Sequence, residues 1–103
     1  MINVHIHLDE SLDARAVVLE LLQRKLIAHA SIDNSNKTLI YDKGELKTDT
    51  CNVITAQTRA MLFSKVVEFI DEHYRGHIKV YSTPITQSNN LFAQIIREAT
   101  EKV

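Results

Sequence analysis

Four strand-like stretches of the chain, Ile2–Leu8, Leu26–Ile32, Thr50–Thr58 and Val80–Asn90, contain no Asp, Glu, Lys or Arg, and the segments between them are dense in charge. A lone antiparallel sheet shows one face to water and alternates apolar with charged residues. Here neither parity of these runs carries a formal charge. One face can pack on helices of the same chain. The other, with Asn3, His5, His7, Cys51, Val53, Thr55 and Gln57, needs a separate cover, and the simplest cover is another copy of the chain.

Ile2–Leu8 reads as a first strand, Val4, Ile6 and Leu8 alternating with Asn3, His5 and His7. Asp9 or Ser11 is placed to cap a helix whose apolar positions are Leu12, Ala16, Leu19, Leu22 and Leu26 and whose periodicity ends near Lys25. A second strand starts at Ile27–Ile32 and continues at Thr38–Tyr41. The polar run Asp33–Lys37 between them predicts a bend or bulge. Asp42-Lys43-Gly44-Glu45 is a turn, and a third strand runs from about Leu46 to Thr58, giving a long hairpin with a charged, projecting tip. Ala60–Tyr74 is a second amphipathic helix, with Leu62, Phe63, Val66, Phe69, Ile70 and Tyr74 on one side and Gly76 as its C′ residue. His77–Ile85 is a fourth strand with Pro84 near its end. Asn89 or Asn90 caps a short last helix striped by Leu91, Phe92, Ile95, Ile96 and Ala99. The order β-α-β-β-α-β plus a C-terminal helix is the ferredoxin-like α+β pattern, an antiparallel sheet with two helices on one face.

Composition narrows the picture. The 103 residues form one domain, 1–103, with 45% hydrophobic and 24% charged residues. A net charge of −1 offers no electrostatic footprint for nucleic acid or anionic membrane. The sheet also lacks the aromatic platform on which RNA-binding domains of this fold stack bases. No basic region followed by an apolar run marks a signal peptide, and no apolar run reaches the roughly 18 residues that span a bilayer. A single cysteine, Cys51, allows no internal disulfide and suits a reducing cytoplasm. Gly44 and Gly76 are the only glycines, so no phosphate-cradling glycine motif is present.

Histidine is the residue type in the most suggestive places. His5 and His7 share one face of the first strand, an i, i+2 pair able to chelate zinc or copper. His29 lies on the second strand, Cys51 on the third, and His73 and His77 bracket the end of the second helix. The competing reading is that His5 and His7 are neutral interface side chains and Cys51 a small apolar one. No nucleophile elbow or paired catalytic carboxylates stand out, so an enzyme is unsupported.

Taken together, these segments resemble the CutA family of divalent-cation tolerance proteins from about Val4 to Ala99. Lys25-Leu26-Ile27-Ala28-His29-Ala30-Ser31-Ile32 is similar to the family's KLAACATL or LAACVNI segment, and Leu39–Leu46 to its YxWxGK hairpin. Asn52–Thr58 corresponds to VxMILKT, Ser82-Thr83-Pro84-Ile85 to VLPV, and Asn89–Ile96 to the helix opening at xxYLxW. The resemblance implies a homotrimer with sheet faces turned inward, kinship with the PII signalling proteins, and a role in divalent metal tolerance. It also implies a copper site of one first-strand cysteine and a His-His pair. The matching residues here are Ile6, Glu72 and His73, so His73 is the one inherited ligand position. The family's HPYEVPE signature reads His73-Tyr74-Arg75-Gly76-His77-Ile78-Lys79, with Lys79 at the glutamate. Two expectations follow. The first is a non-enzymatic cytoplasmic homotrimer binding copper or zinc through His73, His5, His7, His29, Cys51 or His77. The second is a PII-like sensor holding a small anion or nucleotide in inter-subunit clefts, with Arg75, Lys79, Lys43 or Lys47 as charge partners.

Overall fold

Alternation along the first strand sets the geometry of everything packed on it. In the computed structural model, which describes residues 1–102, β1 (Ile2–Asp9) buries Ile2, Val4, Ile6 and Leu8 on one side and leaves Asn3, His5 and His7 half-exposed on the other. α1 (Ala14–Gln23), β2 (His29–Asp42), β3 (Glu45–Thr58), a short 3-10 turn at Ala60–Leu62, α2 (Phe63–His73), β4 (Lys79–Pro84) and α3 (Asn90–Ala99) follow. The four antiparallel strands lie in the order β2-β3-β1-β4, the ferredoxin-like arrangement that the sequence predicts. Val17 and Leu21 of α1 and Val66, Phe69 and Ile70 of α2 join Val4, Ile6, Leu8, Ile54 and Ala56 in one core. That core fills a single side of the sheet.

The β2–β3 hairpin is the longest feature, with 14 residues in each strand. Its two-residue turn puts Lys43 at φ 52° and Gly44 at φ 78°, both in the left-handed region that a tight hairpin turn requires. The predicted interruption is a bulge: pairing slips between Asp33 and Asn36, Ser35 takes φ 59°, and its N–H donates to Asn52 Oδ1 at 3.2 Å.

Several sequence expectations are corrected. The cap of α1 is Asp13, whose side chain accepts from the N–H groups of Arg15 and Ala16, rather than Asp9 or Ser11. With the helix phased from Asp13, the buried stripe is Ala14, Val17 and Leu21, while Ala16, Leu19 and Leu22 are exposed. Two overlapping apolar periodicities compete in this segment, and the one facing the sheet wins. α2 ends at Tyr74 in extended conformation, so Gly76 lies one residue beyond C′, at φ 121° in the following loop. β4 starts at Lys79 rather than His77, which leaves His77 in that loop. In α3, capped by Asn89 as expected, Ile96 is buried but Leu91 and Ile95 are exposed.

α1 closes in a Schellman motif without glycine. Leu26 N–H donates to Leu21 C=O and Lys25 N–H to Leu22 C=O, both at 3.0 Å, with Lys25 at φ 58° in the position that glycine usually fills. A side chain in that conformation costs on the order of 1 kcal/mol. Lys25→Gly should therefore stabilise the protein by about 0.5–1 kcal/mol, seen as a raised urea midpoint. A lowered midpoint would show that the lysine side chain contributes more than the strain it carries.

A candidate ligand cleft at the end of the open sheet face

Cross-strand register decides which polar side chains meet on the face away from the helices. His5 stands opposite Thr55 of β3 and Tyr81 of β4, and His7 opposite Val53 and Lys79. His5 Nε2 lies 3.0 Å from Thr83 Oγ1 and its ring stacks on Tyr81 with centroids 4.8 Å apart. His7 Nε2 lies 3.1 Å from Tyr81 Oη. Gln57 donates to Asn3 Oδ1 at 2.8 Å. The face is thus a network of uncharged side chains that satisfy one another, and among the described residues no buried side-chain polar atom lacks a partner.

Charge returns where the runs end. Asp33 faces Val53, Asp9 faces Cys51, and Lys79 faces His7. A cavity of about 430 Å³ opens at this end. The turn into α1 contributes Asp9, Ser11 and Leu12, and the hairpin contributes Thr38, Asp49 and Cys51. Gly76 turns the α2–β4 loop so that Arg75, His77 and Lys79 close the third side. Inside it Cys51 Sγ approaches His7 Nδ1 to 3.7 Å, and the thiol is buried. Asp9 Oδ1 accepts from Ser11 N–H at 2.9 Å. The side-chain and backbone hydrogen bonds from Ser11 hold the Asp9 carboxyl below its ordinary pKa. Neither Arg75 nor Lys79 forms an ion pair: among the described residues the pairs are Lys47–Asp42 and Lys65–Glu101.

Of the residues singled out from the sequence, His7, Cys51, His77, Arg75 and Lys79 share this cleft, and His5 adjoins it through Tyr81. The others are elsewhere. His29, exposed on β2, meets Phe92 edge-on with centroids 5.9 Å apart. At the end of α2, His73 stacks on Phe69 at 4.4 Å, with Nδ1 3.0 Å from Phe69 C=O and Nε2 3.4 Å from Arg24 Nη2. An N–H donated to the carbonyl leaves Nε2 to accept from the guanidinium, so both ring nitrogens are engaged. Lys43 and Lys47 belong to the hairpin tip, Lys47 paired with Asp42 at 3.3 Å. Among the described residues no three His, Cys, Asp or Glu side chains converge as a ready-made metal cage. Sequence reasoning missed Asp9, Ser11, Thr38, Asp49 and Tyr81. Tyr81 alone carried a signal, as an aromatic in a charge-free run, but its partners depend on register.

Comparison with known proteins gives one family and a set of folds. The family described as CutA1 divalent ion tolerance protein matches residues 2–99. No curated relative matches the chain. Among solved structures, the chain is similar to CutA1 from Pyrococcus horikoshii, with TM-score 0.86 and 22% identity over 99% of this chain and 100% of that one. CutA1 from Thermus thermophilus gives 0.84 and 20% over 98% and 100%. A CutA from Archaeoglobus fulgidus described as periplasmic gives 0.83 and 23% over 98% and 100%. At these identities the likeness establishes the backbone fold along nearly the whole chain. No helix of the described residues is long and apolar enough to cross a membrane.

The cleft makes one acid–base prediction. Desolvation first, then Lys79 and then His5 push the His7 imidazole below its ordinary 6.5. The unfolded chain therefore takes up this proton more readily than the folded one. Stability contributed at His7 is intact above 6.5 and is lost as pH falls through the lowered folded value. In metal-free buffer the urea midpoint should drop between about pH 7.5 and about pH 5.5. His7→Gln, which keeps a hydrogen-bonding group for Tyr81, should flatten part of that drop. An unchanged slope in the variant would contradict the assignment.

Proposed function

The chain belongs to the CutA1 divalent ion tolerance family, and from that premise we propose that it acts as a cytoplasmic homotrimeric binding protein, not an enzyme, in the response to divalent metal ions. The observation that carries the assembly is the pairing of two incomplete surfaces. One is the open sheet face, uncharged at its centre and half-buried only by its own side chains. The other is the hairpin, where Leu39, Tyr41 and Leu46 are 63%, 75% and 68% exposed. Leu39 and Tyr41 lie on the helix-side parity of the hairpin beyond the helix layer, with Leu46 opposite Tyr41. Nothing among the described residues covers them. A contact between two different patches is heterologous, and repeated with closure it gives a ring rather than a two-fold dimer. Three is the count that the family resemblance implies.

A metal ion bound by imidazole requires the neutral ring, so uptake should fall below about pH 6. The free thiol of Cys51 suits a reducing compartment, which supports the cytoplasmic reading. A second reading is favoured by one observation: Arg75 and Lys79 border the cleft without ion-pair partners among the described residues. A small anion or nucleotide held there would make the protein a PII-like sensor.

Light scattering should report a particle of three times 11.8 kDa. Tyr41→Asp combined with Leu46→Asp should shift it toward smaller species, because charge cannot be buried unpaired in the contact. A wild-type particle of 11.8 kDa would sink the assembly. For the second reading, nucleotides or small anions should raise the melting temperature by mass action, and Arg75→Ala should abolish the rise. A screen without any shift would leave the tolerance reading alone.

A further inference from the structure

We infer that the cleft at the end of the open sheet face binds a zwitterionic small molecule, an α-amino acid, one per chain. Its carboxylate sits on Arg75 and Lys79, and its ammonium group on Asp9 and Asp49. The inference rests on the sensor reading and narrows its small anion to a carboxylate that also carries an ammonium group. It starts from register. Lys79 stands opposite His7, and Asp9 follows His7 two residues along β1, opposite Cys51. Asp49 lies two residues from Cys51 on β3, opposite Thr38. Side chains two apart on a strand share a face, so both carboxylates lie along the floor of the cleft. The cations stand at its β4 side, Lys79 at the first residue of the strand and Arg75 on the loop that Gly76 turns.

These opposite charges line one cavity and do not neutralise one another. Among the described residues the ion pairs are Lys47–Asp42 and Lys65–Glu101, and neither is at the cleft. Lys79 and Asp9 sit diagonally on neighbouring strands, a step of about 7–8 Å. A ligand with ammonium and carboxylate on one carbon can bridge such a step, with one charge-assisted hydrogen bond of about 2.8 Å at each end. Ser11 holds the Asp9 carboxyl below its ordinary pKa by side-chain and backbone hydrogen bonds, so that group keeps its charge at neutral pH.

Charge balance selects the ligand class. A multiply charged anion drawn to Arg75 and Lys79 would meet Asp9 and Asp49 on the floor. A polyamine drawn to the carboxylates would meet the two cations. A molecule with one charge of each sign satisfies both. The cavity of about 430 Å³ is of the size that small-molecule sites have, and it has room for an amino acid together with water. Leu12, half-buried at the cleft, offers the ligand's side chain an apolar neighbour.

The test is calorimetric titration of the intact protein with the standard L-amino acids, one at a time. At least one should bind at one per chain. Its N-acetyl derivative lacks the ammonium charge and its amide lacks the carboxylate, and each should bind at least about tenfold more weakly. Arg75→Gln and Asp49→Asn should each weaken the free amino acid about tenfold. Both residues are exposed, so neither change disturbs the core. Lys65→Ala, on α2 away from the cleft, should leave binding unchanged. Inorganic phosphate and ATP are titrated in parallel. Binding of no amino acid, an N-acetyl derivative as tight as the free amino acid, or an affinity untouched by Asp49→Asn would overturn the inference. If phosphate or ATP binds while no amino acid does, the zwitterion fails and the sensor reading stands. If none of these probes binds, both fail.

Discussion

A four-stranded sheet has two faces, and this chain supplies helices for one. That shortage organises the rest of the molecule. β1 places Val4, Ile6 and Leu8 under α1 and α2, so Asn3, His5 and His7 must face the other way, because successive strand residues alternate. A chain that left this face to solvent would be expected to carry lysines and glutamates on it. It carries hydroxyls, amides, imidazoles and a thiol that bond to one another. Such groups can be covered without stranding a charge, at the modest desolvation cost of groups that keep their partners.

The same arrangement explains why the cleft sits where it does. Charge resumes at Asp33 and Lys79, in the row of His7, and at Asp9 one row beyond it, and the long hairpin continues past the end of β1. The α2–β4 loop, turned by Gly76, then brings Arg75 and His77 to the margin of the uncharged face. The candidate cleft and the uncharged face therefore meet at one boundary. The imidazole of His7 belongs to both: its Nε2 side joins the network of the face through Tyr81, and its Nδ1 side looks into the cleft.

Much of this was legible in the sequence, and the failures have physical causes. Strand alternation, the bulge after Asp33 and the turn at Gly44 were readable because each depends on local chemistry. The phase of α1 was not, since Leu12, Ala16, Leu19 and Leu22 form as regular a stripe as Ala14, Val17 and Leu21, and only packing on the sheet chooses between them. Lys25 in a left-handed C′ position has no sequence signal at all. The candidate site was half legible. Residue type flagged His7, Cys51, His77, Arg75 and Lys79, but their convergence, and the separate placement of His29, His73, Lys43 and Lys47, follow from register and from the path of the α2–β4 loop. Asp9 and Asp49 looked like surface carboxylates because nothing local ties them to a cleft.

The central claim is that the open sheet face is covered by copies of the chain, and covalent footprinting of histidines addresses it most directly. His5 and His7 lie on that face, while His77 is exposed in the loop beside it. Brief acylation of the native protein, read by peptide mass spectrometry, should modify His77 readily. It should spare His5 and His7 until the assembly is dissociated, after which both should react. Modification of His5 and His7 in the native protein at the rate of His77 would contradict the account, because the face would then be open to solvent.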